Sequence, residues 1–252
     1  LERVLATRTD RLITLSETLK IDLLKRLRST KPNHIQVVPL GLPLEKLAAS
    51  PRHTGRFRQS LGVDAKTCLW GIVARLVPVK NHALLLDTFA RLARQHDTLH
   101  LAIVGGGELA DSLRNRVRKL GLSHRVHFTG IFHPIEDVYA DLDLLLLTSL
   151  NEGTPVVLME SLAAGCPAAA TAVGGVADVF RDCGSGTLLP CDPEGLRRRL
   201  SVLVQSHSPA QSLSPEIRAR VVERYSCTSL ARRTAAVYAP LLAHRVPEYH
   251  QL

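Results

Sequence analysis

Between Cys68 and Leu189 short apolar runs alternate with segments whose apolar positions recur at helical spacing. The runs Cys68 to Ala74, Leu99 to Val104, Val126 to Thr129, Leu142 to Leu147, Ala168 to Thr171 and Gly186 to Leu189 read as strands. Helices are predicted between them at about 81–95, 108–120, 135–140, 155–164 and 175–181. Near-continuous apolar strands separated by helices indicate βαβ units and a parallel sheet covered on both faces, so the predicted fold class is α/β, doubly wound. Upstream, Leu12 to Leu15, a helix opening near Ser16, and Ile35 to Val38 repeat the pattern once, with Thr30 to Asn33 breaking the helix. Pro39 to Pro43 reads as a rigid connector, and the turn formers and charges of residues 40–60 place a boundary there. Three segments follow: 1–44, 45–206, and a helical tail at 207–252.

Composition narrows the function classes. With 252 residues and 45% hydrophobic content, the chain can bury a substantial core. No run approaches the roughly 18 apolar residues of a spanning helix, and Leu1 to Val4 has no secretory character, so a cytoplasmic protein is expected. The absence of an initial Met and a first element already in mid-pattern indicate a fragment. Five cysteines without C-x-x-C spacing and eleven scattered histidines signal neither a disulfide framework nor a metal site. The net charge of +9 favours anionic partners. Much of it lies at Arg197 to Arg199, Arg218, Arg220, Arg232 and Arg233, on segments that read as solvated helix faces, with peripheral association at an anionic membrane surface as the alternative. Nucleic acid is disfavoured by an aromatic content of 4% and the lack of a recognition motif.

In doubly wound sheets, ligands sit beyond the carboxyl ends of the strands. Asn151 to Glu160 follows the strand ending at Leu147. Thr154 can cap a helix there and Pro155 can occupy its first turn, leaving the amides of Val156 and Val157 for an anion, next to Gly153. Glu152 precedes this helix and Glu160 lies within it, and carboxylates accept from paired hydroxyls of a sugar or ribose. The bland alternative, two surface charges, is weakened by the almost wholly apolar helix around Glu160. Arg75 and Lys80 follow the strand ending at Ala74 and can grip a phosphate together, stabilising a leaving diphosphate without a metal. Gly105 to Gly107 forms a glycine turn at another strand end that lets backbone approach a ligand, but Ala110 breaks the G-x-G-x-x-G pattern, so no nicotinamide cofactor is supported. Asp141-Leu142-Asp143 has the look of a metal-binding D-x-D, yet it falls at the opposite end of its strand, and no metal is expected.

Taken in order, Arg75 with Lys80, the glycine turn, Phe128 to Gly130, Glu152 with Glu160, Ala163 to Pro167 and Val173 to Val176 resemble the donor-binding domain of family-4 glycosyltransferases. The resemblance runs from Leu69 to Pro190 and implies a Rossmann-like domain, the C-terminal half of the GT-B architecture, with residues 1–44 as the tail of an acceptor domain whose remainder is missing in cis. It further implies retaining, metal-independent transfer from a nucleoside-diphosphate sugar to a polysaccharide, lipopolysaccharide or lipid-linked hydroxyl, with no cofactor. Arg75 and Lys80 would neutralise the diphosphate, Glu152 would contact the sugar, Glu160 the ribose, and backbone near Ile131 the base. Departures are Pro155 where relatives have glycine, Leu40 for asparagine and Ala74 for glycine. Rival readings are a nucleotide-sugar-binding fragment or pseudoenzyme without turnover, and a sugar 2-epimerase of the same architecture.

Overall fold

The computed structural model describes residues 5–6, 8–27, 31–206 and 211–243. They fall into two compact units, one comprising the chain up to Pro43 and from Glu223 onward, the other Leu44–Val222. In the smaller unit, strands β1 (Leu12–Thr14) and β2 (Ile35–Val37) pair in parallel. Helix α1 (Glu17–Leu27) joins them and starts as expected, with the Leu19 amide donating to Ser16 Oγ at 3.2 Å. Of the breaker, Thr30 lies outside the described residues, while Pro32 opens a 3-10 turn to His34.

The larger unit holds a six-stranded, all-parallel sheet of β3 (Cys68–Val73), β4 (Leu99–Val104), β5 (Val126–Gly130), β6 (Leu144–Leu147), β7 (Ala168–Thr171) and β8 (Thr187–Leu189). Its order is β5-β4-β3-β6-β7-β8. The chain therefore builds outward from β3 to one edge, returns to lay β6 against the other side of β3, and builds outward again. Strand alternation sends Trp70, Ile72, Leu101, Ile103, Leu144 and Leu146 to one face. There they pack with α4 (His82–Ala93), α5 (Ala110–Lys119) and α9 (Pro193–Ser206) through Leu85, Leu86, Phe89, Leu113, Leu196 and Leu200. Leu69, Leu145 and Leu147 take the other face, as do Phe57 of α3 (Arg56–Leu61), Tyr139 of α6 (Ile135–Asp141) and Leu158 and Leu162 of α7 (Val156–Ala163); all are essentially buried. Helix α8 (Val176–Cys183) connects β7 to β8.

The two units divide at Pro43 and Leu44, within residues 40–60, and two short helices, α2 (Glu45–Ala49) and α3, follow, too short to show a helical period in sequence. Three local readings need correction. Leu142 and Asp143 stand outside β6: Leu142 packs where a Cβ on Gly71 would come within 2.5 Å of it, and the buried Asp143 carboxylate is drawn to an arginine described below. The tail at 207–252 is not a unit of its own, since α10 (Pro215–Tyr225) begins in the larger unit, α11 (Cys227–Ala243) lies in the smaller, and 207–210 and 244–252 lie outside the described residues. Arg218 is not a solvated charge either. Its guanidinium donates to Ala163 O at 3.1 Å and to the carbonyls of Leu47, Ala48 and Ser50, closing the C-terminal ends of α7 and α2. Arg198, Arg199 and Arg220 are exposed. No described helix is long and apolar enough to cross a membrane.

His82 heads the core-facing stripe of α4, which continues through Leu85, Leu86 and Phe89, and it is 1% exposed with neither ring nitrogen hydrogen-bonded among the described residues. Burial, with a smaller contribution from the Lys80 charge, pushes its pKa down to about 4. The native imidazole stays neutral where the unfolded one, near 6.5, takes a proton. His82 thus favours folding fully above that value, and this contribution is lost as pH falls from 6.5 to about 4. The unfolding free energy read from urea titrations should drop over that window at up to about 1.4 kcal/mol per pH unit from this group. His82→Gln should flatten that part of the curve; an unchanged slope would show that His82 is not the proton-linked group.

Candidate functional site

The strand order reverses between β3 and β6, and at such a reversal the connections leave in opposite directions and open a crevice at the carboxyl ends. The loops around this crevice are laced together. Gly105 N donates to Gly130 O at 2.8 Å, Leu76 N to Gly106 O at 2.9 Å, Leu150 N to Val79 O at 2.8 Å, and Gly175 N to Gly153 O at 3.0 Å. Two glycines permit the lacing. A Cβ on Gly105 would lie 2.1 Å from Ala74 O and one on Gly174 1.6 Å from Glu152 O, and both have positive φ. Gly105 and Gly107 thus lie against the arginine loop, with the Gly105 amide already occupied, while Gly106 between them faces open space.

At the centre, Lys80 and Glu152 meet across the reversal point with Nζ 2.6 Å from Oε1. Lys80 stands on a 3-10 turn (Pro78–Lys80) after β3, and its carbonyl and that of Asn81 accept from Thr148 Oγ1 at the end of β6. Ser149 Oγ donates to the same Glu152 oxygen at 2.5 Å. Neither Ser149 nor Thr148 was singled out in sequence. Ser149 stands three residues before Glu152, a spacing that marks a hydroxyl–carboxylate contact in a tight loop, but it reads equally as the end of an apolar strand. Arg75 is exposed in the same strand-end loop and has no ion-pair partner among the described residues.

Helix α7 begins at Val156 with Pro155 as its N-cap. The expected Thr154 cap is not formed: Thr154 Oγ1 is buried without a hydrogen-bond partner among the described residues. A residue one position further from the helix cannot reach its amides, because the extended proline intervenes. The first bonded amide is that of Leu158, to Pro155 O at 3.2 Å. The Val156 and Val157 amides before it belong to the first turn, which lacks intrahelical acceptors. Glu160 lies apart from the Lys80–Glu152 pair. Its Oε2 accepts from Tyr139 OH at 2.8 Å. Burial raises its pKa, opposed by the Tyr139 hydrogen bond. Gly153 is exposed, and Ile131, just beyond β5, is 76% exposed.

The D-x-D carboxylates are occupied at the far end of β6. Asp141 accepts from the amides of Gly55 and Phe57 at 2.8 Å each and from Arg58 at 3.2 Å, capping α3. Asp143 accepts from Arg58 Nη2 and Leu69 N, both at 2.7 Å, and is fully buried. Among the described residues no three histidine, cysteine, aspartate or glutamate side chains gather as a metal-binding group. A cavity of about 580 Å³ lies along the edge strand β5, where Arg114 covers the Phe128 ring at 4.6 Å. It shares no residue with the loops that carry Lys80 and Glu152.

The sequence profile described as Glycosyl transferases group 1 matches residues 54–220. An uncharacterized glycosyltransferase of Methanocaldococcus jannaschii is 25% identical over 231 residues, covering 90% of this chain and 59% of that protein. The D-inositol 3-phosphate glycosyltransferase of Streptosporangium roseum is 30% identical over 252 residues, covering 94% and 57%. The chain thus spans under two thirds of the length of these relatives. Among solved structures, Anabaena HepE in complex with UDP superposes with a TM-score of 0.79, and in complex with UDP-glucose with 0.77. Each is 22% identical and covers 92% of this chain and 64% of HepE, a likeness of fold.

If the D-x-D serves structure, Asp143→Ala should strand the buried Arg58 guanidinium and cost about 3–5 kcal/mol, read as a fall in the urea midpoint. Millimolar Mn2+ should leave the midpoint of the parent chain in place. A rise that Asp143→Ala abolishes would make that carboxylate a metal ligand.

Proposed function

The chain belongs to the glycosyl transferases group 1 family, and on that premise we propose that its larger unit holds a nucleoside-diphosphate sugar at the β3/β6 crevice for transfer to an acceptor hydroxyl. The observation that carries this reading is the meeting of Lys80 and Glu152 at the reversal of strand order, beside the first turn of α7. A cation with a mobile stem and a helix N-terminus suit a diphosphate. A carboxylate held at one oxygen suits sugar hydroxyls. The UDP and UDP-glucose named with HepE support a ligand of this class.

In the proposed mechanism Arg75 and Lys80 stabilise the diphosphate as it departs, Glu152 orients the sugar, and Glu160 accepts from the ribose hydroxyls. The amides of Val156 and Val157 meet phosphate oxygens, with Gly153 and Thr154 beside them and backbone near Ile131 facing the base. The acceptor oxygen bonds to the anomeric carbon on the face from which the diphosphate leaves, and its proton passes to the departing phosphate oxygen. This gives the retention expected of family 4 and places charge stabilisation on two side-chain cations rather than a metal. The acceptor is proposed to be a polysaccharide, lipopolysaccharide or lipid-linked glycan, reached in the cytoplasm at the inner membrane face through the exposed arginines. Because the chain spans only part of its relatives' length, donor binding without turnover is the second reading for this chain alone.

Calorimetric titration with UDP-, GDP- and ADP-glucose and their parent diphosphates tests the donor reading. One pair should bind, and Lys80→Met should weaken the diphosphate about tenfold or more, the scale of a hydrogen bond to a charged group. Binding of none of the probes would overturn the reading.

A further inference from the structure

Two donors hold Glu152 through the same oxygen, and they differ in kind. Lys80 is a cation on a four-carbon stem, 19% exposed, standing on a short turn. Ser149 is 1% exposed, and its carbonyl is pinned by Thr171 Oγ1 at 2.6 Å from the neighbouring strand β7. Thr171 is itself 1% exposed. One donor can turn away; the other is fixed to the sheet.

On the nucleotide-sugar reading above, an arriving diphosphate brings several anionic oxygens into competition with a single carboxylate for Lys80. The ammonium cannot stay on Glu152 at full strength and also serve the phosphates. We propose that Ser149 is the positioning residue of Glu152: when Lys80 turns to the diphosphate, the Ser149 hydroxyl stays on Oε1 and keeps Oε2 for the hydroxyls of the sugar. The Lys80–Glu152 pair is then the resting form of the site, opened by the donor. With a sugar-free diphosphate, water can fill the space beside Glu152 and hydrate a carboxylate that has lost its cation. With the sugar in place that water is displaced, and a carboxylate lacking Ser149 would be both under-bonded and free to swing.

Ser149 should therefore affect the sugar increment of binding rather than diphosphate binding as such. Calorimetry with UDP and UDP-glucose, or with the guanosine or adenosine pair if that is the pair bound, separates the two. In Ser149→Ala the preference for the sugar nucleotide over the diphosphate should fall about tenfold, with the diphosphate affinity falling less. Ser149→Thr, which keeps the hydroxyl, should retain the preference. In a Glu152→Gln background, Ser149→Ala should remove no further preference. An unchanged preference in Ser149→Ala, or an equal loss for both ligands, would overturn the proposal by making the hydroxyl irrelevant or merely a support of the loop. If the parent chain bound neither member of any pair, the donor reading would fail and this inference with it.

Discussion

Everything at this site depends on the reversal of strand order between β3 and β6. Parallel strands send all their carboxyl ends to one rim, and the order β5-β4-β3-β6-β7-β8 places the first strand of the larger unit at the centre. The loop after β3 therefore meets the loop after β6, although Lys80 and Glu152 are far apart in sequence. Their 2.6 Å contact follows from topology as much as from charge. The neighbouring loops are too close for side chains at Gly105 and Gly174, so the rim is held by backbone hydrogen bonds. A rim whose backbone is fixed in this way needs little main-chain reorganisation to receive a ligand.

The opposite end of the sheet uses charge for another purpose. Arg58 donates to Asp143, to the Asp141 carbonyl and to the carbonyls of Asp64 and Thr67, tying α3 to the start of β6 and the approach to β3. Arg52 does the same for the carbonyls of Tyr139 and Leu142, and Arg218 for the ends of α2 and α7. Part of the large positive charge is thus structural: guanidiniums satisfying carbonyls that helix and loop ends leave open. The exposed cations include Arg198, Arg199 and Arg220.

The parallel sheet was legible because buried strands such as β6, with four successive leucines, leave a signal that helices flanking both faces demand. The ends of the strands were legible for the same reason, whereas the order that brings two of them together at the crevice was not. What could not be read was which side chains meet. Tyr139 meets Glu160 between two helices, through geometry that no local period encodes, and Ser149 meets Glu152 within its own loop, at a spacing that reads equally as the end of an apolar strand. The helices of residues 40–60 went unread because α2 and α3 are each under two helical turns, where turn formers dominate the pattern. Thr154 misled for a physical reason as well. Threonine before a helix is a common cap, but the extended Pro155 sets it one residue too far from the amides.

The two glutamates have contrasting surroundings but are held in the same way. Glu152 lies beside a cation, while Glu160 is pushed toward protonation by burial and pulled back by a tyrosine hydroxyl. In each, the protein's side-chain donors fall on one oxygen: Lys80 and Ser149 on Oε1 of Glu152, Tyr139 on Oε2 of Glu160. Asp141, by contrast, is engaged at both oxygens by the three backbone amides it caps. One engaged oxygen fixes the direction of the group, and the other retains its lone pairs for an outside donor. Under the donor reading this shared arrangement explains how two carboxylates on one short helix and its preceding loop can serve different hydroxyls. Each is aimed by its own protein donor, so the sugar and the ribose need not compete for a single acceptor.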